Sequence, residues 1–269
     1  MGKVNARQTA ILELIAEQGF VATDTLVHRF GVTPQTIRRD LSQLSETGRI
    51  ARFHGGAGQA AGVRPYRDRR RSDLAAKRGI ATACARRVPN GASLFLNIGT
   101  TTEAVAEALL EHSDLYIVTN SLHVARILSR NPSFTIMMSG GQVRNQDGGI
   151  VGGEAVAFME NFRADFGVIG ISAIDADGTL LDHDAREVRI AQAIMRGSGQ
   201  VLLVTDSGKF GRRATSRLGT LADLDVLVTD ADLSPALRAL TETAGVELVL
   251  AESGQDVGKT SDGAATDRP

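Results

Sequence analysis

Seven short apolar runs recur between residues 93 and 250, at 93–98, 116–119, 135–139, 166–171, 201–205, 226–229 and 246–250. Stretches with helical spacing fall among them, at 102–111, 121–129, 154–162, 186–197 and 234–243. Runs this short and this apolar predict strands buried on both faces. Strands buried on both faces, with helices between them, predict a mainly parallel sheet covered by helices, an α/β body. Sheets of that kind take ligands at the carboxyl ends of their strands, so the loops that leave those ends are where chemistry is sought.

Those loops are small and rich in hydrogen-bonding groups. Gly99-Thr100-Thr101-Thr102 leads from the first run into a helix, where free N–H groups and hydroxyls suit an anion. Thr119-Asn120-Ser121 follows the second run and Gly140-Gly141 the third. Lys209 follows a later run within Asp206-Ser207-Gly208-Lys209, and a lysine there acts as a point charge on a phosphate. Short polar turns are ordinary strand exits, so each loop alone says little. Several at one sheet edge, with a lysine, predict a site for a small phosphorylated ligand.

Composition narrows the class. The chain has 269 residues, 23% charged and 42% hydrophobic, which predicts a soluble globular protein with ample core. The longest aliphatic stretches, such as Val201-Leu202-Leu203-Val204, are too short to cross a bilayer, and no apolar leader is visible in the first twenty residues. No membrane partner is expected. One cysteine, Cys84, allows neither a disulfide framework nor a multi-thiolate metal site, and the expected compartment is the reducing cytoplasm. Cys84 itself falls on a helix face that reads as core. Five scattered histidines show no ligand spacing, and no dinucleotide or P-loop glycine motif is present, so no metal or cofactor is expected. The residues from 252 to 269 are polar and aperiodic and predict a disordered tail.

The net charge of -1 conceals an asymmetry. Residues 1–72 carry 12 Lys+Arg against 6 Asp+Glu, whereas the remainder carries 18 against 25. A basic unit on an acidic body points to a polyanion met by the first alone. Within that unit, Ile11, Leu14 and Ile15 mark one helix, stopped by Gly19, and Leu26, Val27 and Phe30 mark a second, with Thr23 as its expected N-cap. Gly31-Val32 makes a tight turn. Thr33 then caps a third helix with Pro34 at its first position, Ile37, Leu41 and Leu44 facing inward, and Gly48 as its stop. Gln35, Thr36, Arg38, Arg39, Ser42 and Gln43 are left outward, and residues 50–54 read as a strand.

Two helices across a glycine turn, the second polar and basic at its start, make a helix-turn-helix, and the trailing strand fits a wing. A helix fits the major groove of duplex DNA. There Gln35 can read adenine, and Arg38 or Arg39 can read guanine or grip phosphate. The wing residues Arg49, Arg52 and His54 are better placed for the backbone. A three-helix structural domain with solvated arginines is the plainer reading. Cap, proline, apolar spacing and charge together weigh against it. The expected domains are 1–57 for DNA binding, 58–74 as linker and 75–251 for ligand sensing. In the linker, Arg67, Arg69, Arg70 and Arg71 either track phosphates or form a solvated face.

The segment VTPQTIRRDLSQLSETGRIARFHGGA resembles the signature of the DeoR-type bacterial repressors, whose winged helix-turn-helix carries TIRRDL in the recognition helix and HGGA after the wing. The resemblance implies that Thr33, Gln35, Thr36, Arg38 and Arg39 contact operator DNA. It implies that Asp40 and Leu41 stabilise the helix. GTTTEAVAEAL, VTNSLHVA and SGGQVRNQDGGIVG are similar to that family's sensor domain, which shares its fold with sugar-phosphate isomerases of the ribose-5-phosphate isomerase kind. QDGGIVG and DSGKFGR resemble the glycerol-3-phosphate regulon branch.

The resemblance implies ligand contacts at Gly99, Thr100, Thr101, Asn120, Gly140, Gly141 and Lys209, with Thr119 beside them. Arg144 and Asp147 are partners for phosphate and hydroxyls, or simply a surface ion pair. Where the family usually has Asp, this chain has Asn97, which keeps hydrogen bonding, loses the charge and so disfavours a phosphate less. Glu187 and Arg189 are expected on a helix, where subunit contacts are an alternative role. The implied protein is a repressor assembled as a dimer or tetramer, which binds operator double-stranded DNA. A phosphorylated inducer, glycerol 3-phosphate or a related sugar phosphate, releases it. The competing reading is a sugar-phosphate isomerase with a DNA-binding arm. It requires a positioned general base, for which Asp147, Asp182 and Glu187 are available.

Overall fold

The computed structural model describes residues 4–18, 20–47, 49–53, 55–59, 66–145 and 147–252. Gly19, Gly48, His54 and the expected tail beyond residue 252 lie outside the described residues.

The basic segment begins with α1 (Ala6–Gln18), β1 (Phe20–Ala22), α2 (Thr23–Phe30) and α3 (Pro34–Glu46). It ends with β2 (Ile50–Phe53) and β3 (Gly56–Gln59), which pair antiparallel, with β1 added on the other side of β3. Apolar residues at helical spacing meet in one core of Ile11, Leu14, Ile15, Leu26, Ile37, Leu41, Leu44 and Ile50. The turn between α2 and α3 needs left-handed backbone, which Gly31 supplies at φ 61°. One expectation fails here. Thr23 does not cap α2; it is the helix's first residue, and Ala22 stands in the cap position with no side-chain bond. The reason is the wing: the Thr23 N–H donates to Gly55 O at 2.8 Å, so one open donor of the helix is met by backbone instead.

The chain continues through α4 (Tyr66–Arg71), α5 (Leu74–Ala85), β4 (Ser93–Leu96), α6 (Thr100–Ala108), β5 (Tyr116–Thr119), α7 (Leu122–Leu128) and β6 (Thr135–Met138). It then forms β7 (Gln142–Arg144), β8 (Gly149–Val151), α8 (Gly153–Glu160), β9 (Ala164–Ile169), β10 (Ala173–Ile174), β11 (Thr179–Asp182) and α9 (Ala185–Gly197). The last elements are β12 (Ser198–Val204), β13 (Ser216–Thr220), β14 (Val226–Thr229), α10 (Pro235–Thr243) and β15 (Glu247–Leu250). The expected linker at 58–74 is not plain coil: β3 runs into its start and α4 occupies its second half.

Seven strands form one parallel sheet in the order β15-β14-β12-β9-β4-β5-β6. These are the seven apolar runs of the sequence. Alternate residues serve opposite faces, as a pleated strand requires. Phe95, Ile169, Val201, Leu203 and Leu227 pack on the side of α8 and α9. Leu94, Leu96, Val168, Leu202, Val204, Val226 and Val228 pack on the side of α5, α6 and α7, where Cys84 is fully buried. The strand order reverses between β4 and β9: the chain walks outward one way through β5 and β6, and the other way through β12, β14 and β15. A crevice opens where two such loops part. Two small antiparallel sheets, β7-β8 and β10-β11-β13, were not visible in the sequence. They carry Arg144 and Asp182.

Candidate functional site

In the basic domain the site is the first turns of α3. Thr33 adopts extended backbone and its Oγ1 accepts from the Thr36 N–H at 3.3 Å, with Pro34 at the first helical position. The two threonine hydroxyls also bond each other at 2.9 Å. Ile37, Leu41 and Leu44 anchor the inner face, which leaves Gln35, Arg38 and Arg39 exposed together on the outer one. Thr36 is half-buried, and part of its bonding capacity goes to the cap. Asp40 is buried and accepts from Arg7 Nε at 2.6 Å and Gln8 Nε2 at 3.1 Å, tying α3 to α1. Arg49 is exposed before β2, whereas Arg52 lies in that strand and His54 outside the described residues. The outer face thus presents one amide and two guanidinium groups on a rigid helix of 13 residues, dimensions that fit a major groove.

In the α/β domain a cavity lies at the point where the strand order reverses. The turn after β4 (Ile98, Gly99) and the start of α6 (Thr100, Thr101, Thr102) form one wall. The loop after β9 (Gly170, Ile171, Ser172) and the residues that follow β12 (Thr205, Asp206) form another. Gly99 adopts φ 143°, and a Cβ there would meet Thr102 Oγ1 at 3.3 Å, so a side chain would both strain and crowd the entry to α6. The first turn of α6, whose leading N–H groups have no intrahelical partner, borders this cavity.

Four cationic side chains face this cavity: Arg69, Lys77, Lys209 and Arg212. Burial pushes the Lys209 amine below its usual range; Asp206 opposes the shift, and Arg212, Arg69 and Lys77 add to it. Lys77 is lowered in the same way, by burial first. Cations gathered in one enclosed place repel each other until an anion enters. The opposite side carries carboxylates. Asp182 and Glu187 line the same cavity, which opens into a wider cleft with Arg144, Asp147, His183 and Asp184.

Arg144 organises that side. Its guanidinium bonds Asp147 at 2.7 Å, Asp184 at 3.0 Å and Glu187 at 2.8 Å. Burial lifts the Glu187 carboxyl to about 8; Asp182 adds to the rise and Arg144 opposes it. The Arg144 charge is held more firmly than usual: burial works against it, and Glu187 and Asp147 outweigh burial. Asp184 is held down at about 2: burial works against the charged form, and bonds from Arg186, with the Arg144 charge, prevail. The site therefore has a cationic end for a phosphate and a carboxylate end that can bond hydroxyls.

Of the residues expected from sequence, the structure brings Gly99, Thr100, Thr101 and Lys209 together around the cavity, with Arg144 and Asp147 in the adjoining cleft. It does not bring the others to the lining. Asn97 is buried and its Oδ1 accepts from the Ile98 N–H at 2.8 Å. Thr119 Oγ1 donates to Leu96 O at 2.7 Å, and Asn120 Nδ2 donates to Ile150 O at 3.2 Å. Asn97 caps the turn that follows it, and Thr119 and Asn120 tie strand ends to neighbouring strands, uses of polar residues that sequence does not distinguish from ligand contact. Gly140 and Gly141 sit between β6 and β7, and neither lines the cavity. Glu187, expected on a helix, does lie on α9 but turns into the site. Sequence reasoning missed Lys77, Arg69 and Arg212 as cavity residues. For Lys77 a signal existed: it shares the buried face of α5 with Ile80, Ala81 and Cys84 at i+3, i+4 and i+7.

A winged DNA-reading head and a parallel α/β body with an anion-suited cavity define the class: a helix-turn-helix protein that carries its own sensor domain. The chain belongs to the DeoR family. Residues 7–61 match the DeoR-like helix-turn-helix domain, and residues 72–231 match the DeoR C terminal sensor domain. The chain is similar to the glycerol-3-phosphate regulon repressor of Escherichia coli, with 47% identity over 85% of this chain and 92% of that protein. It is similar to the protein of the same name from Haemophilus influenzae, with 49% identity over 84% and 89%. Among solved structures, ribose 5 phosphate isomerase A from Neisseria gonorrhoeae overlaps 53% of this chain and 54% of its own, at 16% identity and a TM-score of 0.38. No described helix is long and apolar enough to cross a membrane, and no group of metal-ligating side chains occurs among the described residues.

Proposed function

We propose that this protein is a transcriptional repressor of a glycerol or glycerol-3-phosphate catabolic operon. In this reading α3 binds operator DNA through Gln35, Arg38 and Arg39, with Thr33 and Thr36 holding the helix start. A phosphorylated inducer, sn-glycerol 3-phosphate, binds the sensor cavity and weakens that grip. The observation that carries the reading is the cavity itself: Lys77, Lys209, Arg212 and the first turn of α6 line it together with Asp182 and Glu187. A phosphate fits the first group, and the hydroxyls of a short polyol fit the second. The names of the relatives support the choice of inducer. One recognition helix covers a half-site, so the acting form is a dimer or tetramer in the cytoplasm. The experiment is a titration of sn-glycerol 3-phosphate against the operator complex. Release at millimolar ligand is expected; release by a different sugar phosphate instead would reassign the inducer.

A second reading has one observation on its side. Glu187, held near neutrality beside Asp182, is the kind of group a sugar-phosphate isomerase uses as a base. An assay with pentose and hexosamine phosphates tests it, and turnover lost on Glu187→Gln would establish it. The repressor reading expects no turnover.

A further inference from the structure

One cation of the cavity comes from neither matched domain. Arg69 lies on α4, between the helix-turn-helix match that ends at residue 61 and the sensor match that begins at residue 72. The connecting helix is docked on the sensor. The Tyr66 hydroxyl donates to Glu103 of α6 at 2.8 Å and 2.9 Å, and the Tyr66 ring stacks on His123 of α7 with centroids 5.0 Å apart and planes 8° from parallel. Lys77 Nζ donates to the Arg69 carbonyl and, at 2.9 Å, to the Ser72 carbonyl, so a cavity lysine also holds the end of α4. The chain then reverses into α5 at Asp73, which adopts the left-handed φ of 54°.

The Arg69 side chain is poorly served where it stands. Its Nη2 is 3.6 Å from Asp147 Oδ2, a loose ion pair. Its Nε is buried and has no hydrogen-bond partner among the described residues. A buried donor without an acceptor is costly, and this one belongs to a cation crowded by Lys77 and Lys209. A phosphate oxygen brought beside the Arg69 guanidinium would give it an acceptor and cancel the crowding.

We infer that Arg69 is a phosphate-binding residue of the inducer site, supplied by the helix that joins the head to the sensor, and that its capture by the phosphate carries occupancy to the head. The inference rests on the function proposed above. Free, Arg69 leans on Asp147; bound, it turns to the phosphate, and α4 follows. Only six residues separate Tyr66 from Gln59, the last residue of the wing, so a shift of α4 is a shift of the tether. The ligand moves the equilibrium because it contacts α4 in one arrangement and not in the other.

The test uses the full chain, a duplex from its own promoter region, and sn-glycerol 3-phosphate and inorganic phosphate as ligands. Arg69→Gln should raise the ligand Kd about 10- to 100-fold, the loss of a charge-assisted hydrogen bond, and Arg69→Lys should raise it less. DNA affinity without ligand should stay within about threefold of wild type, since Arg69 is not on the exposed outer face of α3 that carries Gln35, Arg38 and Arg39. Ligand-driven release should be lost in Arg69→Gln, and hydrogen exchange at 66–71 should slow on binding in wild type alone. Wild-type ligand affinity and wild-type release in Arg69→Gln would overturn the inference and leave the repressor reading intact. A wild-type protein that binds neither ligand would overturn both. If Arg69→Gln fails to fold, Tyr66→Phe decides: ligand affinity kept with weakened release supports the relay, and unchanged release contradicts it.

Discussion

Arg144 Nη2 stands 2.8 Å from Glu187 Oε2, and the two side chains are 15% and 16% exposed. One guanidinium therefore compensates a carboxylate that burial is trying to neutralise. Removing the guanidinium takes a hydrogen-bond donor from Glu187, Asp147 and Asp184 at once. Arg144→Met should destabilise the sensor domain by about 1–3 kcal/mol, since Glu187 can stay protonated and Asp184 keeps Arg186, read as a lower urea midpoint. Glu187→Gln should cost less, because Arg144 keeps Asp147 and Asp184. Equal midpoints for wild type and Arg144→Met would contradict this role.

The same pair sets a pH dependence. Glu187 rises from an ordinary 4.5 to about 8 in the folded protein. A group raised on folding contributes stability that is complete below the unfolded value and is lost as pH climbs through the folded one. Stability should therefore fall between about pH 4.5 and pH 8 by an amount that Glu187→Gln removes. Inducer affinity should follow the same direction. Above about pH 8 Glu187 gains a negative charge beside the ligand, and burial makes the Lys209 and Lys77 amines easier to neutralise than an ordinary lysine. Calorimetric titration with sn-glycerol 3-phosphate from pH 6 to 9 reads it; affinity that rises through that range would contradict it.

Much of this architecture was legible before any coordinates. All seven strands of the large sheet announce themselves as apolar runs, because strands buried on both faces tolerate little else. The recognition helix is equally plain, since Thr33, Pro34 and the Ile37-Leu41-Leu44 spacing agree. Of the residues that line the cavity, sequence pointed to Gly99, Thr100 and Thr101, where glycine and hydroxyls meet a helix start, and to Lys209. It did not place residues contributed from outside the strand ends there. Lys77 and Arg69 reach the cavity from helices that precede the sheet, and Asp182, named in the sequence only as a candidate base, comes from a three-stranded ribbon whose short strands leave no periodic signal. Polar strand-end residues carry a mixed signal: Thr119 Oγ1 bonds Leu96 O and Asn120 Nδ2 bonds Ile150 O, neither of them on the cavity lining.

Lys209 faces the cavity as a partly desolvated point charge. Replacing it by methionine keeps the aliphatic stem and removes the charge. Lys209→Met should weaken sn-glycerol 3-phosphate binding about 10- to 100-fold while DNA affinity in its absence is retained. Titration of ligand and of duplex on the same preparation distinguishes this from general damage, which would lower both.

Arg38 and Arg39 are exposed on the outer face of α3, where each can release a counterion on binding DNA. The double variant Arg38→Ala, Arg39→Ala should reduce the slope of log affinity against log salt by up to about 2 per head. Ligand binding by the sensor should be untouched. An unchanged slope would remove both residues from the DNA contact.

Asp40 belongs to the same helix but faces inward. It is buried and bonded by Arg7 and Gln8. Asp40→Ala should lower the stability of the head by about 1–3 kcal/mol; the lower end is favoured because Arg7 is 31% exposed and can reach water when orphaned. The loss appears as earlier thermal unfolding of the head, with the sensor transition in place.

The central claim is that sensor and head are coupled, and coupling is reciprocal. The direct measurement is a closed cycle on one preparation: operator Kd with and without saturating sn-glycerol 3-phosphate, and sn-glycerol 3-phosphate Kd with and without operator. The predicted result is that ligand weakens DNA binding about 5- to 150-fold and DNA weakens ligand binding by the same factor. An operator Kd that does not change at saturating ligand would contradict the account.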